Sequence, residues 1–159
     1  MKNALWWLAG IAVLSAIGGG VWVLSRGLRN NNPGNIRLSG DDWRGLSGNQ
    51  TDFSFFQFVK PLWGIRAIAV ILRNYQDKYN LRTVAEMIER WAPPTENDTG
   101  NYVNHVAALL GVDKNATIDV HIPATMTTMV KAIIRHENGV NPYDDSLIDQ
   151  AVFLALDGA

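Results

Sequence analysis

From Ala4 to Leu24 the chain carries no charged residue, and this apolar run is bounded by Lys2 on one side and by Arg26 and Arg29 on the other. About twenty such residues suffice for a helix to cross the hydrocarbon core of a bilayer. Trp6, Trp7 and Trp22 sit near its ends, as an interfacial aromatic belt does. The pattern predicts an N-terminal transmembrane or signal-anchor segment over residues 1–26. A cleaved signal peptide is the alternative, since Ala16-Ile17-Gly18 resembles a processing site. Gly18-Gly19-Gly20 and the neighbouring alanines either form a helix-packing face or make the anchor weakly hydrophobic. Lys2 competes with the arginine pair, so the positive-inside rule leaves the orientation open.

From residue 27 to residue 159 the periodicity changes to that of a folded domain. Pro61 can open a helix that runs through Trp63, Ile65, Ile68, Ile71, Leu72 and Tyr75. Thr83-Val84-Ala85-Glu86 reads as a capping box before Val84, Met87, Ile88 and Trp91, with Pro93-Pro94 as the stop. Thr99 to Leu110 fits a third helix with Tyr102, Val103, Val106, Leu109 and Leu110 inward and Gly111 as C-cap. A fourth runs from Pro123 to the His136-Glu137-Asn138-Gly139 end, and a fifth, capped by Asp145 or Ser146, carries Leu147, Ile148, Val152 and Leu156. Between the anchor and the first helix, Phe56-Gln57-Phe58 alternates as a short strand or hairpin would. The fold class expected is mainly α with a small β element.

Composition narrows the chemistry. A net charge of -1 gives no basic face for nucleic acid, and the absence of cysteine excludes disulfides, a thiol nucleophile and thiolate-bound zinc. His105, His121 and His136 follow no metal-ligand spacing, and neither a nucleophile elbow nor a phosphate-binding glycine loop is present. No cofactor, metal or nucleic acid is expected.

The polar chemistry concentrates in Arg29-Asn30-Asn31-Asn32-Pro33-Gly34-Asn35-Ile36-Arg37, followed by Trp43-Arg44-Gly45. Amides, proline and glycine make this a loop. Amides that donate and accept, beside flat aromatic faces, suit a sugar polymer, whose rings present hydroxyls at the edge and C–H groups on the face. A tight turn held by the asparagines' own bonds is the plainer alternative.

Only four glutamates exist, at 86, 89, 96 and 137. Glu86 belongs to the capping box, Glu89 to a polar helix face, and Glu96 to the loop entering the third helix. Glu137 extends the stripe Met126, Val130, Ile133 at helical spacing and sits at a helix C-terminus. Burial and the helix dipole both raise a carboxyl pKa there, as a general acid at neutral pH requires. A frayed helix end with the carboxyl in water, or paired with Arg135 or His136, is the alternative.

In order, the Asn-rich loop, the Trp-x-Gly, the Phe-rich stretch and the tyrosine-bearing helix resemble the lysozyme-like superfamily, especially the flagellar-type β-N-acetylglucosaminidases that cut peptidoglycan. The matching positions are Asn32, Gly34 or Asn35, Ile36, Arg37, Trp43, Gly45, Phe56, Phe58 and Tyr102. The loop, together with Ala92-Pro93-Pro94-Thr95-Glu96-Asn97-Asp98-Thr99, also resembles small phage proteins described as virion proteins or lysozyme-like enzymes. One departure stands out. In the flagellar-type enzymes the catalytic glutamate precedes the loop, whereas here no acid precedes Asp41. Glu137 is the matching helix-end acid, so the resemblance implies a circularly permuted arrangement.

The resemblance implies a lysozyme-like α+β domain over residues 27–159. It implies a membrane-anchored phage enzyme that cleaves peptidoglycan, with Glu137 as general acid and Glu96 as a second carboxyl. Asn32, Asn35, Arg37, Trp43, Phe58 and Tyr102 would hold the glycan. Its partners would be peptidoglycan strands, the lipid bilayer through residues 4–24, and virion components. Its place would be the host inner membrane, with the domain facing the periplasm, or a virion membrane. The rival expectation is a non-enzymatic virion protein that binds peptidoglycan.

Overall fold

The computed structural model describes residues 24–94 and 98–158. The anchor expected over residues 4–24 lies outside this range except for Leu24. Among the described residues no helix is long and apolar enough to cross a membrane.

The described residues form six helices in order: α1 (Arg26–Arg29), α2 (Pro61–Tyr79), α3 (Val84–Trp91), α4 (Thr99–Leu110), α5 (Pro123–Asn138) and α6 (Asp145–Leu156). Proline opens both α2 and α5, where its missing N–H costs nothing. The Thr83–Glu86 capping box forms in full: the Thr83 hydroxyl accepts from Glu86 N, and Glu86 Oε2 accepts from Thr83 N at 3.0 Å. Left-handed Gly111 ends α4 and left-handed Gly139 ends α5.

The long helix α2 packs chiefly on α6, while α5 bridges α6 and α4, and α3 lies on α4. Their apolar faces meet in one core, with Ile65, Ile68, Leu72, Met87, Met126, Ile133 and Ile148 fully buried. Each such side chain contributes about 1.5–3 kcal/mol by leaving water. A smaller cluster of Phe56, Phe58 and Ala67 collects Ile36, Leu38, Trp43, Leu46 and Trp63, and it anchors the segment between α1 and α2 onto α2.

Three expectations need correction. The β element is reduced: no strand forms among the described residues, and only isolated antiparallel bridges join Arg37 to Phe55, Leu46 to Phe58 and Thr83 to Thr117. Side chains take over the ladder's bonds here. Gln57 N donates to Gln50 Oε1 at 2.8 Å, and Gln57 Oε1 accepts from Asp52 N at 3.0 Å. Helix α6 is capped by Asp144, not Asp145 or Ser146, because its carboxylate accepts from Leu147 N at 2.8 Å. Leu109 is 52% exposed: the buried stripe of α4 runs through Tyr102, Val103, Val106 and Ala107, leaving Leu109 at its edge.

Candidate functional site

The Asn-rich loop is built largely by its own amides. Asn32 is fully buried; its Nδ2 donates to Ile36 O at 2.9 Å and Phe56 O at 2.8 Å, while its Oδ1 accepts from Ile36 N at 2.9 Å. Asn31 Nδ2 donates to Phe58 O at 2.9 Å, and Asn30 Nδ2 to Asp52 Oδ2 at 2.8 Å. Asn31 and Asn35 hold positive φ angles of 51° and 48°, a conformation that asparagine tolerates better than most residues. Gly34 permits the closest approach: a Cβ there would lie 2.7 Å from Ile68 Cγ1 and 3.2 Å from Trp91 Cζ2. The loop therefore presses onto α2 and α3.

The end of α5 locks into the same loop. Asn138 Nδ2 donates to Pro33 O at 2.7 Å and Ile134 O at 2.8 Å, and its Oδ1 accepts from the Ser25 hydroxyl. One residue earlier, Glu137 faces inward. Its Oε2 accepts from Asn35 Nδ2 at 3.0 Å and its Oε1 from Trp91 Nε1 at 3.2 Å. Three separate elements thus converge on one carboxyl: the loop, the end of α3 and the end of α5.

Glu137 keeps partial solvent exposure, yet its carboxyl is densely surrounded by protein atoms. Burial pushes its pKa above the ordinary value, and the bonds from Asn35 and Trp91 offset only part of that rise. The arrangement is an enclosed carboxyl, on a residue that keeps partial exposure, biased toward its protonated form.

Beside it, the rings of Tyr102 and His136 stack with centroids 3.5 Å apart and planes 8° from parallel. Burial raises the Tyr102 pKa well above the ordinary phenol value, and the charge of Glu137 adds to the rise. Burial lowers that of His136, with His105 acting in the same direction and Asp98 against it. The Tyr102 hydroxyl is buried without a hydrogen-bond partner. A neutral imidazole and a neutral phenol therefore flank the carboxyl.

The residues expected to hold a glycan divide. Asn35 reaches the acid directly. Arg37 remains partly exposed, with its guanidinium 5.3 Å from the Phe55 ring centre, and Trp43 is half-buried with its indole N–H unpartnered. Asn32, Phe58 and Tyr102 are corrected: at 0%, 3% and 1% exposure they build the wall and offer no face to a ligand. Glu96 lies outside the described residues. Asp52 is no substitute second carboxyl here. Five bonds, two from Arg26 and one each from Asn30, Ser54 N and Phe55 N, hold it ionised far below the usual carboxylate range despite the opposing cost of its burial.

Trp91 and Asn138 were not singled out from sequence as site residues. A tryptophan closing a helix before Pro93-Pro94, and an asparagine between the candidate acid and the C-cap glycine, were the signals available. A groove of about 610 Å³ lined by His121, Thr127, Asp149 and Phe153 lies toward the opposite end of α5 and shares no residue with the Glu137 cluster.

The chain matches no established family profile. It is 44% identical over 122 residues to protein P5 of Pseudoalteromonas phage PM2, covering 75% of this chain and 74% of that protein. The chain belongs to the P5 family. Its relative is a bacteriophage protein, and the share covered on both sides exceeds any single motif or helix. The P5 family is thus the setting in which the Glu137 cluster is to be understood.

Proposed function

We propose that the domain cleaves the glycan strands of peptidoglycan as a phage enzyme, with Glu137 protonating the glycosidic oxygen. The supporting observation is the carboxyl itself: enclosed on a residue that keeps partial exposure, biased toward protonation by burial, and oriented by Asn35 and Trp91. A general acid needs a proton available near neutral pH and a fixed direction of transfer. The loop and the helix-end acid are distant in sequence but adjacent in space, as the permuted lysozyme-like arrangement requires.

Proton transfer from Glu137 to the bridging oxygen would break the bond to the sugar carbon and leave the carboxylate ionised. Asn35 and Trp91 N–H groups would stabilise that carboxylate, since both donate to it. Attack by water would give a hydrolysed reducing end, and this route needs a base or a second carboxyl at a suitable separation. Attack by the sugar's own hydroxyl would give an anhydro end and needs only one acid. Residues 4–24 would fix the enzyme in the host inner membrane or a virion membrane.

A second reading draws on a different observation. Asn35, Arg37 and Trp43 keep partly exposed side chains around the loop, which suits a virion component that binds peptidoglycan without cutting it. The full-length protein in detergent, incubated with purified peptidoglycan sacculi, separates the two. Soluble fragments whose mass spectra show new sugar ends support cleavage and identify the end formed. Co-sedimentation with sacculi and no fragments, from protein with an intact cooperative melt, replaces the enzyme by the binding protein.

A further inference from the structure

Three exposed apolar side chains serve neither the core nor the Glu137 cluster, and all are tethered where the chain enters the domain. Leu24 is 54% exposed, Phe53 96% and Val59 54%. Phe53 follows Asp52, whose carboxylate takes Arg26 Nε at 2.7 Å and Arg26 Nη2 at 2.6 Å. Val59 follows Phe58, whose N donates to Asn30 O at 2.9 Å and whose O accepts from Asn31 Nδ2 at 2.9 Å. Leu24 O in turn accepts from Arg29 Nη1 at 3.1 Å. Each apolar group is therefore bound, directly or through its neighbour, to α1 or the two residues after it.

Cations accompany them. The Arg26 side chain is 48% exposed, and its guanidinium lies 4.6 Å from the Phe55 ring centre; Lys60 is exposed beside Val59. The acid bonded to α1, Asp52, is only 9% exposed and is paired with Arg26. Exposed aromatic and aliphatic groups among arginine and lysine suit an interface with one wet and one apolar side.

We infer that this surface, formed by Leu24, Phe53 and Val59 with Arg26, Arg29 and Lys60, docks into the headgroup layer of a lipid bilayer. The inference rests on the reading of residues 4–24 as membrane-inserted. The uncharged run ends at Leu24, and two residues reach at most about 7 Å. The headgroup layer is about 5–8 Å deep on each side. That reach keeps the Arg26 backbone at the layer, and the Arg26 guanidinium ties the Asp52–Phe53 loop beside it. Such docking fixes the domain's rotation about its tether. It also sets the Glu137 end of α5 near the membrane, since Asn138 bonds Ser25.

The test uses the absence of native cysteine. Full-length variants carrying Phe53→Cys, Lys114→Cys or Leu14→Cys are each labelled with a polarity-sensitive fluorophore. They are reconstituted into phosphatidylethanolamine–phosphatidylglycerol vesicles, with or without a headgroup-proximal spin-labelled lipid. Position 53 is 96% exposed, so its substitution leaves the fold intact. Lys114 is the control: its carbonyl accepts from Ala85 N at the first turn of α3, the helix whose far end reaches Glu137.

A blue shift at positions 14 and 53, with quenching by the headgroup-proximal label at 53 and neither signal at 114, is the expected result. A blue shift at 14 with a solvent-like label at 53 overturns the docking surface and leaves the anchor standing. A solvent-like label at 14 defeats the membrane reading and the inference with it. Equal quenching at 53 and 114 overturns the assignment to this face.

Discussion

Asn32 shows how the same side chain can answer two descriptions. Its amide was expected to meet sugar hydroxyls, but it bonds two carbonyls and one N–H of its own chain and is sealed from solvent. Residue type reveals donors and acceptors but not their direction, so the motif was legible and its role was not. Replacing Asn32 by Asp removes both donors and sets an oxygen against Ile36 O and Phe56 O. The expected loss is about 3 kcal/mol or more at neutral pH, read from urea unfolding, and smaller below the ordinary aspartate pKa. Glu137, by contrast, was placed correctly from spacing alone, because Met126, Val130 and Ile133 carry it on a fully buried stripe. Its raised pKa fixes a sign. The native state holds this proton at pH values where the unfolded chain has released it, so stability falls as pH rises above the ordinary value of 4.5 toward the raised one. Below 4.5 the penalty is absent, and above the raised pKa it is constant. Thermal melts across that window should show the slope in the parent and lose it in Glu137→Gln; parallel slopes would contradict the assigned shift.

At the scale of elements, α2 to α6 were written in periodicity and caps, and α1 and its connection to α2 were not. Helices carry their bonds internally, so local sequence suffices. The 38–58 segment instead bonds through Gln50 and Asp52 side chains to backbone within the same loop, a pattern with no period to read. Phe56 and Phe58 alternate as a strand would and both are buried, yet the strand they suggested is replaced by isolated bridges. Gly64 marks the contact that seats this segment on α2: a Cβ there would lie 2.0 Å from Asn31 O and 3.0 Å from Pro33 Cδ. The obstacle is backbone, so it cannot swing aside. Gly64→Ala should cost about 3 kcal/mol, beyond what improved helix propensity returns. Hydrogen exchange should locate the loosening in residues 30–36, and a neutral or stabilising effect would mean that loop and helix are not pressed together.

Across the whole molecule, the N-terminal end of the described domain meets the end of α5. Ser25 bonds Asn138, Asn138 bonds Pro33 O, and Asn35 bonds Glu137, so the C-terminal half supplies a carboxyl to a loop at the N-terminal end. Sequence order alone set the loop and the acid about a hundred residues apart, and only the fold makes them one site. Membership of the P5 family agrees with a phage protein. Chemistry at the site rests on the carboxyl. The most direct measurement is the rate at which full-length protein releases soluble fragments from peptidoglycan, compared between the parent and Glu137→Gln with matched melting curves. The account predicts release by the parent, and a drop on the order of 100-fold or more for the variant. Equal release by both proteins would contradict it.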